Sequence, residues 1–518
     1  MENIRREFLK GTAWMGTAAI ASGCINGGMK VSGGGAAMSN FRVAPMRKVR
    51  VGMVGVGGRG QWALKRLLLI PGLEITAVCD LEQAKIDACQ KLIAEKSKPK
   101  AKEYCGPEGY KRLSDEGVAD VFYNCTPRDV HTELNVYAMN AGVHVLTEVP
   151  SGRTIDECWE TVETCERNRV HCMMLENACY GEYEMLALNL ARSGILGELV
   201  QCDGAYIHDQ RLMQFKPDTI GWRLRDMVEK YGNYYPTHGL GPLCKCLDIN
   251  RGDRFDYLVS MNSASPSFEG FAKAKKKGTP LENLKFNRGD VNFTLIRTAR
   301  GRIISLQHNV ATPRPYDRVN QIVGTKGVMR GIDGAGYKVC FEKELGDRGA
   351  GKYFPPEEAE RIRKEYMHPL WRQAGELAKK IGGHGGCDFM MDVRWAYCLQ
   401  NGLPLDTDVY DLATWSSVID LTARSVRSGS RPVDCPTSRA ARGRRRSPWA
   451  SRVSTSRRWA WRDAPSGCVS LPVRGRRARG RADRLGVGGL LAAFGGQGAA
   501  QGVVHELPRR RERAPGAA

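Results

Sequence analysis

The chain has 518 residues, 42% of them hydrophobic and 26% charged, with a formal net charge of +22. That length buries a sizeable core and suggests two or three domains. The charge is concentrated: residues 436–518 hold 19 Arg, no Lys and 4 acids, or +15, so only +7 falls on the rest and nucleic acid is excluded as a partner of the folded part.

In chain order, Arg5-Arg6-Glu7-Phe8-Leu9-Lys10 precedes a weakly apolar stretch, Gly11 to Ala21, that is too short and glycine-rich to span a bilayer as a helix. It resembles a twin-arginine export signal, a route that carries proteins already folded. Ala21-Ser22-Gly23-Cys24 resembles a lipoprotein cleavage box with Cys24 as the lipidated residue. The alternative is cleavage near Ala36-Ala37 and a soluble periplasmic product. Residues 1–40 thus read as signal and small-residue linker. The 17 cysteines stand as singletons, with Cys244-Lys-Cys246 the nearest approach to a pair. They exclude a disulfide scaffold or zinc module and imply folding among reduced thiols before export.

Val49 to Gly60 is an apolar run ending in Gly55-x-Gly57-x-x-Gly60, followed by helical apolar spacing from Gln61 to Ile70. Strand, tight turn and helix follow. Gly55 supplies the turn angles, Gly57 lets the backbone approach a pyrophosphate, and Gly60 allows helix to pack on strand, with Gly58 and Arg59 in the same turn. The helix N-terminus offers amides and partial positive charge to phosphates. A second strand, Leu73 to Asp80, ends in an acid suited to the ribose hydroxyls of NAD and repulsive to a 2′-phosphate.

Helices are predicted over Glu82–Lys96, His131–Ala141 and Thr154–Asn168, and strands over Val118–Thr126, Val143–Val149 and Val170–Glu176. The alternation predicts a doubly wound parallel Rossmann sheet over 47–178. Ligands should gather at the carboxyl ends of its strands: the glycine turn, Asp80, Thr126 to His131, Glu148-Val149 and Glu176-Asn177. From 179 to 434 the pattern changes to a helix (Glu182–Ser193) and period-two segments at Glu198–His208, Arg254–Ser263, Asp290–Arg297, Arg302–His308 and Arg318–Gly324. Helical stretches follow over Pro356–Ile381, Phe389–Asn401 and Thr407–Arg427. The expected class is α/β, a Rossmann domain plus an α+β domain with a large, mainly antiparallel sheet carrying the substrate side of the site.

The turn Gly55-Val-Gly-Gly-Arg-Gly60, the Glu-x-Pro of Glu148 to Pro150 and the C-terminal sheet domain resemble the Gfo/Idh/MocA oxidoreductase superfamily. Further stretches resemble glycoside hydrolase family 109, the NAD-dependent α-N-acetylgalactosaminidases: Glu176-Asn177-x-x-Tyr180-Gly181, Tyr206-Ile-His208-Asp209, Gly221-Trp222-Arg223, Tyr235-Pro-Thr-His238-Gly-Leu-Gly-Pro242, Pro313-Arg-Pro-Tyr316 and Gly383-His384-Gly-Gly-Cys-Asp388-Phe. The resemblance runs from about Arg47 to Asp434. Val149 stands where ordinary superfamily members carry the lysine of Glu-Lys-Pro, a replacement the hydrolase family shares.

The resemblance implies hydrolysis without two flanking carboxylates. Carbon 3 of the sugar is transiently oxidised by NAD, carbon 2 is deprotonated, the aglycone is eliminated, water adds and the electrons return. His238 is the candidate for proton transfer at the oxidised hydroxyl, and otherwise caps the following helix. Tyr206 and His208, two apart on one strand face, suit base and acid work. Glu176 faces the expected nicotinamide, and is otherwise a salt-bridged structural acid. Tyr235 completes the catalytic candidates. Arg223, Tyr316 and the Tyr235-Pro236-Thr237-His238 segment are assigned to the sugar by resemblance. Arg128, Asp129, Val130 and His131 are expected to border the nicotinamide ribose with Glu148, Val149 and Asn177, although the family has aromatic residues where Arg128 and Val130 stand. His384 and Asp388, four apart, lack a third ligand nearby, and no metal is expected.

Terminal N-acetylgalactosamine glycans are therefore the expected partners, and a homo-oligomer the expected state. The alternatives are a net NAD-dependent sugar oxidoreductase and a non-catalytic glycan-binding surface lipoprotein. Residues 435–518, Arg-rich and Lys-free from 436 on, read as a GC-rich gene translated out of frame. The rival reading is a disordered basic tail binding nucleic acid or anionic lipid.

Overall fold

The computed structural model describes residues 37–436 except 217–219, 333–335 and 343–350. The expected export signal, Cys24 and the Arg-rich segment from 437 onward lie outside the described residues.

Six strands, β1 (Val49–Val54), β2 (Leu73–Asp80), β3 (Lys102–Cys105), β4 (Val121–Asn124), β5 (His144–Thr147) and β6 (Cys172–Met174), form a sheet in the order β3-β2-β1-β4-β5-β6. Every pairing in it is parallel. β1, β4 and β5 are buried along nearly their whole length, as strands covered on both faces must be. The order reverses between β1 and β4, which opens a crevice at their carboxyl ends.

Eight strands make the second sheet: β7 (Leu199–Ile207), β8 (Phe255–Asn262), β9 (Val291–Thr298), β10 (Ile303–Asn309), β11 (Gln321–Gly324), β12 (Gly327–Ile332), β13 (Gly336–Phe341) and β14 (Val433–Asp434), ordered β13-β12-β11-β7-β10-β9-β8-β14. All its pairs are antiparallel except β7 with β10. Along β9, buried and exposed residues alternate, so one face is covered. Met261, Phe293, Leu295 and Ile303 stand exposed, Phe293 and Leu295 facing Met261 and Val259 across the β8–β9 register. The helix Val409–Arg427, opened by an Asp408/Asp411 capping box, touches both β6 and β8. A single hydrophobic cluster accordingly runs through both sheets, and a smaller one gathers around Phe215, Leu224, Phe268 and Phe286.

The segment leading into β1 is strapped to the amino end of β6 and to the helix Val409–Arg427. Met38 is buried and its amide donates to the Tyr410 hydroxyl (3.0 Å), Arg169 donates to the Ala37 carbonyl (3.2 Å), and Phe41 packs on His171 (4.8 Å between centroids).

Several elements differ from the sequence expectation. The helix expected over Pro356–Ile381 is two, Pro356–Tyr366 and Pro369–Ile381, because Pro369 cannot continue a helix and biases the residue before it away from helical angles. The short edge strand β3, the helix Pro266–Lys275 and the glycine-bounded β12–β13 hairpin carry no clear period and went unread. The described cysteines are free thiols, most of them buried. No helix among the described residues is long and apolar enough to cross a membrane.

Candidate active site

Gly55 has φ +78°, and a Cβ there would lie 2.6 Å from the Thr126 amide nitrogen. At Gly60 it would lie 2.3 Å from the Gly55 carbonyl oxygen, whereas Gly57 and Gly58 have nothing within 4 Å of that position. One pair of glycines closes the turn and the other faces open space at the start of the helix Gly58–Leu67, whose N-cap Gly57 supplies no side-chain cap. An open backbone cradle at a helix N-terminus fits a dinucleotide pyrophosphate. Asp80 ends β2, and the Thr147 hydroxyl at the end of β5 is buried without a partner among the described residues.

Arg59 is anchored rather than mobile: its Nε donates to Glu148 (2.7 Å) and Nη1 to Asp388 (2.9 Å). Asp388 also accepts from Asn177 (2.6 Å), pairs with His384 (2.9 Å) and lies 3.5 Å from Arg66, which in turn donates to Asp392 (2.8 Å). Burial acts to raise the Asp388 pKa, but the His384 hydrogen bond and the Arg59 and Arg66 charges hold it far below the ordinary carboxylate range. Sequence reasoning missed Asp388 as the hub joining the glycine turn to the second half of the chain. Its four-residue spacing from His384 was the available signal.

In the Thr126–His131 loop, three of the side chains expected beside the ribose have protein partners. Arg128 is buried, pairs with Asp226, donates to the Tyr234 carbonyl (3.0 Å) and lies over the Tyr234 ring (4.2 Å). His131 is buried with its ring nitrogens against the Pro150 and Thr126 carbonyls, 3.0 and 2.8 Å away, and Asp129 accepts from Arg153 (3.1 Å). Arg128 and His131 are committed to protein partners, because a buried charge or imidazole must be compensated, and the half-buried Asp129 is paired as well. The loop can offer a cofactor its backbone and Val130.

Glu176 and His238 form a buried carboxylate–imidazole pair, Nδ1 to Oε1 2.6 Å, with Ala178 N–H on the same oxygen (3.0 Å). Burial acts to raise the Glu176 pKa, but the charge and hydrogen bond of His238 hold it below its ordinary value. His238 sits in the first turn of the helix Thr237–Cys246, with Pro236 at the N-cap and Thr237 buried. Around it lie Tyr235 (5.0 Å between centroids) and Tyr206 (5.4 Å), with Tyr206 4.9 Å from Tyr235 and 6.1 Å from Tyr316. The Tyr206 hydroxyl is 3.5 Å from His208 Nδ1 and accepts from Gln210 (2.7 Å), a buried residue the sequence did not single out. Burial raises the pKa of Tyr206 and of Tyr235 well above the phenol range, so both are neutral donors. Burial, with Arg223 and His384 assisting, pushes His208 down. Arg223 lies over Trp222 (4.3 Å) and its charge reaches Tyr206 and Tyr235. The sequence-predicted catalytic residues are thus brought together. What they can do is accept and donate protons within one small volume.

A family model described as glycosyl hydrolase 109, C-terminal domain, matches residues 180–444, and one described as oxidoreductase family, NAD-binding Rossmann fold, matches residues 49–176. A glycosyl hydrolase family 109 protein of Solibacter usitatus is 41% identical over 437 residues, 83% of this chain and 96% of its own. An alpha-N-acetylgalactosaminidase of Bacteroides fragilis is 40% identical over 399 residues, 76% of this chain and 92% of its own. Levoglucosan dehydrogenase, solved in complex with NADH and levoglucosan, superposes with a TM-score of 0.58 at 17% identity, covering 75% of this chain and all of that one, which shows a shared fold.

Proposed function

Because this chain belongs to glycoside hydrolase family 109 and carries an NAD-binding Rossmann domain, we propose that it is an exported glycosidase that removes terminal N-acetylgalactosamine by a cycle with no net redox change. The observation that carries the reading is the Glu176–His238 pair set among Tyr206, His208 and Tyr235. Its proton-handling groups are imidazoles and phenols, not two carboxylates opposed across a bond.

When bound, NAD supplies a reversible two-electron oxidation of the sugar at carbon 3. The open Gly57-Gly58 backbone and Asp80 would hold it, with Asn177 and Glu148 fixing the wall beside it through Asp388 and Arg59. His238, oriented by Glu176, takes the proton of the carbon 3 hydroxyl and later returns it. Tyr235 donates to the oxygen at that carbon. Tyr206 takes the carbon 2 proton as its own passes to His208 Nδ1. Arg223 and Tyr316 hold the ring from the far side. Val149, where the lysine of Glu-Lys-Pro would stand, disfavours a simple dehydrogenase.

The test is an aryl α-N-acetylgalactosaminide given to purified protein with no added nucleotide, in heavy water. Free sugar carrying deuterium at carbon 2, with no NADH accumulating, is expected. Unlabelled sugar, or NADH in proportion to product, would overturn the mechanism.

The reading includes export by the twin-arginine route, with the mature chain periplasmic or lipid-anchored at Cys24, and self-association. The exposed apolar face around Met261, Phe293 and Leu295 supports self-association, since such a face on an open sheet calls for a cover. Leu295→Lys should shift the protein to a smaller species on sizing with light scattering.

A further inference from the structure

Gln210 and Gln214 take no part in the mechanism above, yet each is 3% exposed. An amide is costly to bury unless its donors and acceptors find partners, so two of them side by side next to Tyr206 call for a reason. Their placement follows from the backbone. β7 ends at Ile207, but its pairing runs on: the His208 amide donates to the Asn309 carbonyl (2.9 Å) and the Gln210 amide to the Val310 carbonyl (3.1 Å). Extended backbone sends alternate side chains to one face, which puts Tyr206, His208 and Gln210 together. The short helix Arg211–Gln214 then starts with Gln210 at its N-cap, and the Gln214 amide donates to the Gln210 carbonyl (2.9 Å), one helical turn bringing the two side chains together.

Gln214 Nε2 donates to Gln210 Oε1 (3.3 Å), which leaves the amino group of Gln210 for the aromatic cluster. That group has two N–H bonds and two targets, the Tyr206 hydroxyl oxygen at 2.7 Å and His208 Nδ1 at 3.3 Å, themselves 3.5 Å apart. An amide N–H donates and accepts nothing, so Nδ1 is the bare ring nitrogen of His208 and the imidazole proton sits on Nε2. Burial, with the charges of Arg223 and His384, favours the neutral form of that imidazole. The Tyr206 oxygen has one proton and two lone pairs. Gln210 takes one lone pair, Nδ1 is an acceptor within reach of the proton, and the other lone pair remains for a substrate. The arrangement is kept at a cost, since Gln214 Oε1 is buried without a partner among the described residues.

We propose that Gln210, held by Gln214, is a positioning residue that fixes the direction of a proton relay from carbon 2 of the sugar through Tyr206 to His208. The role rests on the hydrolase reading above. Once carbon 3 is a ketone, the carbon 2–hydrogen bond breaks and its proton joins the Tyr206 oxygen. The Tyr206 O–H proton passes to His208 Nδ1, and the electron pair left at carbon 2 spreads onto the carbon 3 carbonyl oxygen. The Gln210 N–H stays on the Tyr206 oxygen and stabilises the negative charge that gathers there during the transfer. On the return the same protons run back, from Nδ1 to Tyr206 and from Tyr206 to carbon 2. An acceptor in place of that N–H would draw a proton onto Nδ1 and leave the relay with nowhere to go.

The test uses full-length, NAD-loaded protein, labelled with ¹⁵N at histidine, as wild type, Gln210→Leu and Gln210→Glu. Long-range ¹H–¹⁵N spectra of the substrate-free protein read the tautomer, with the His208 signals assigned by their loss in His208→Gln. Exchange of the carbon 2 proton of methyl α-N-acetylgalactosaminide in heavy water reads the relay, and the transient NADH absorbance on mixing reads the carbon 3 oxidation that precedes it. Wild-type His208 should show a bare Nδ1 and a protonated Nε2. Gln210→Leu, which loses the donor without adding charge, should slow exchange roughly tenfold, the scale of one hydrogen bond to a charged group. Gln210→Glu, which turns the donor into an acceptor, should move the His208 proton to Nδ1 and slow exchange roughly a hundredfold, the usual scale for an acid–base group. Both variants should keep the rate of the NADH transient within about threefold of wild type, a split that general damage to the site would not produce. A protonated Nδ1 in an active wild type, unchanged exchange in either variant, or NADH transients that fall in step with exchange would overturn the role. A wild type with a bare Nδ1 that neither exchanges carbon 2 nor cleaves the glycoside would refute the hydrolase reading itself, and the relay with it.

Discussion

Glu176→Gln keeps the side chain's shape and removes its charge. The bond at stake is the 2.6 Å contact between its carboxylate and His238 Nδ1, charge-assisted and fully buried on the Glu176 side. Hydrogen bonds to charged groups contribute about 1.5–3 kcal/mol. Burial alone would lift the Glu176 pKa, yet it lies below its ordinary value, so the attraction to His238 outweighs desolvation. Full burial of the carboxylate favours the upper part of that range. At 1.36 kcal/mol per decade, a loss of about 2–3 kcal/mol lowers turnover roughly 30- to 150-fold. The loss should fall on kcat, with KM nearly unchanged, because the carboxylate's attraction for the imidazole grows as the sugar hydroxyl gives up its proton. Steady-state kinetics on an aryl α-N-acetylgalactosaminide, with NAD content and melting temperature measured alongside, are the assay. A kcat within about threefold of wild type, or a rise in KM alone, would refute the orienting role.

The glycine turn gives a separable pair: Gly57→Ala meets nothing within 4 Å and should fold normally while losing bound NAD, whereas Gly60→Ala drives a Cβ into the Gly55 carbonyl and should lower the melting temperature. NAD released on denaturation and calorimetry distinguish them, and equal melting temperatures would count against the geometry. Burial depresses the pKa of His144 to about 4 and of His171 and His368 to about 3, so between pH 6.5 and about 4 the unfolded chain binds protons that the folded one refuses. Stability should fall with pH across that window by up to about 1.4 kcal/mol per unit for each histidine, with no further loss from these groups below about pH 3. Urea melts at pH 7 and pH 5 with equal free energies would exclude it. Resequencing the gene near codon 435 should show a base gained or lost, and a C-terminal peptide recovered from mature protein with an intact frame would make the Arg-rich segment genuine.

The parallel sheet was legible because buried strands and amphipathic helices repeat a period that survives in any context. The glycine turn was legible because each glycine answers to a separate steric demand. Tyr206, His208, Tyr235 and His238 were found as motifs, but their convergence was not, since β7 and the helix Thr237–Cys246 are brought together by tertiary packing. The Arg59–Asp388 contact spans 329 residues and leaves no local trace. The partners of Arg128 were hidden for the same reason: a residue at a strand end reads as bordering the nicotinamide ribose. Only the fold shows Asp226 and the Tyr234 ring enclosing it.

The strap over Met38, Phe41 and His171 has a mechanical consequence. It grips the amino end of β6 and the helix Val409–Arg427, while the cleft opens at the carboxyl ends of the parallel strands. Tension applied to the chain upstream of residue 37 is borne first by the Tyr410 and Arg169 contacts and then shared across the whole parallel sheet, in which β5 is hydrogen-bonded on both sides. The glycine turn follows the carboxyl end of β1, at the opposite end of that sheet. The strap and the cleft thus lie at opposite ends of the parallel strands, and a change at one reaches the other only through the sheet between them.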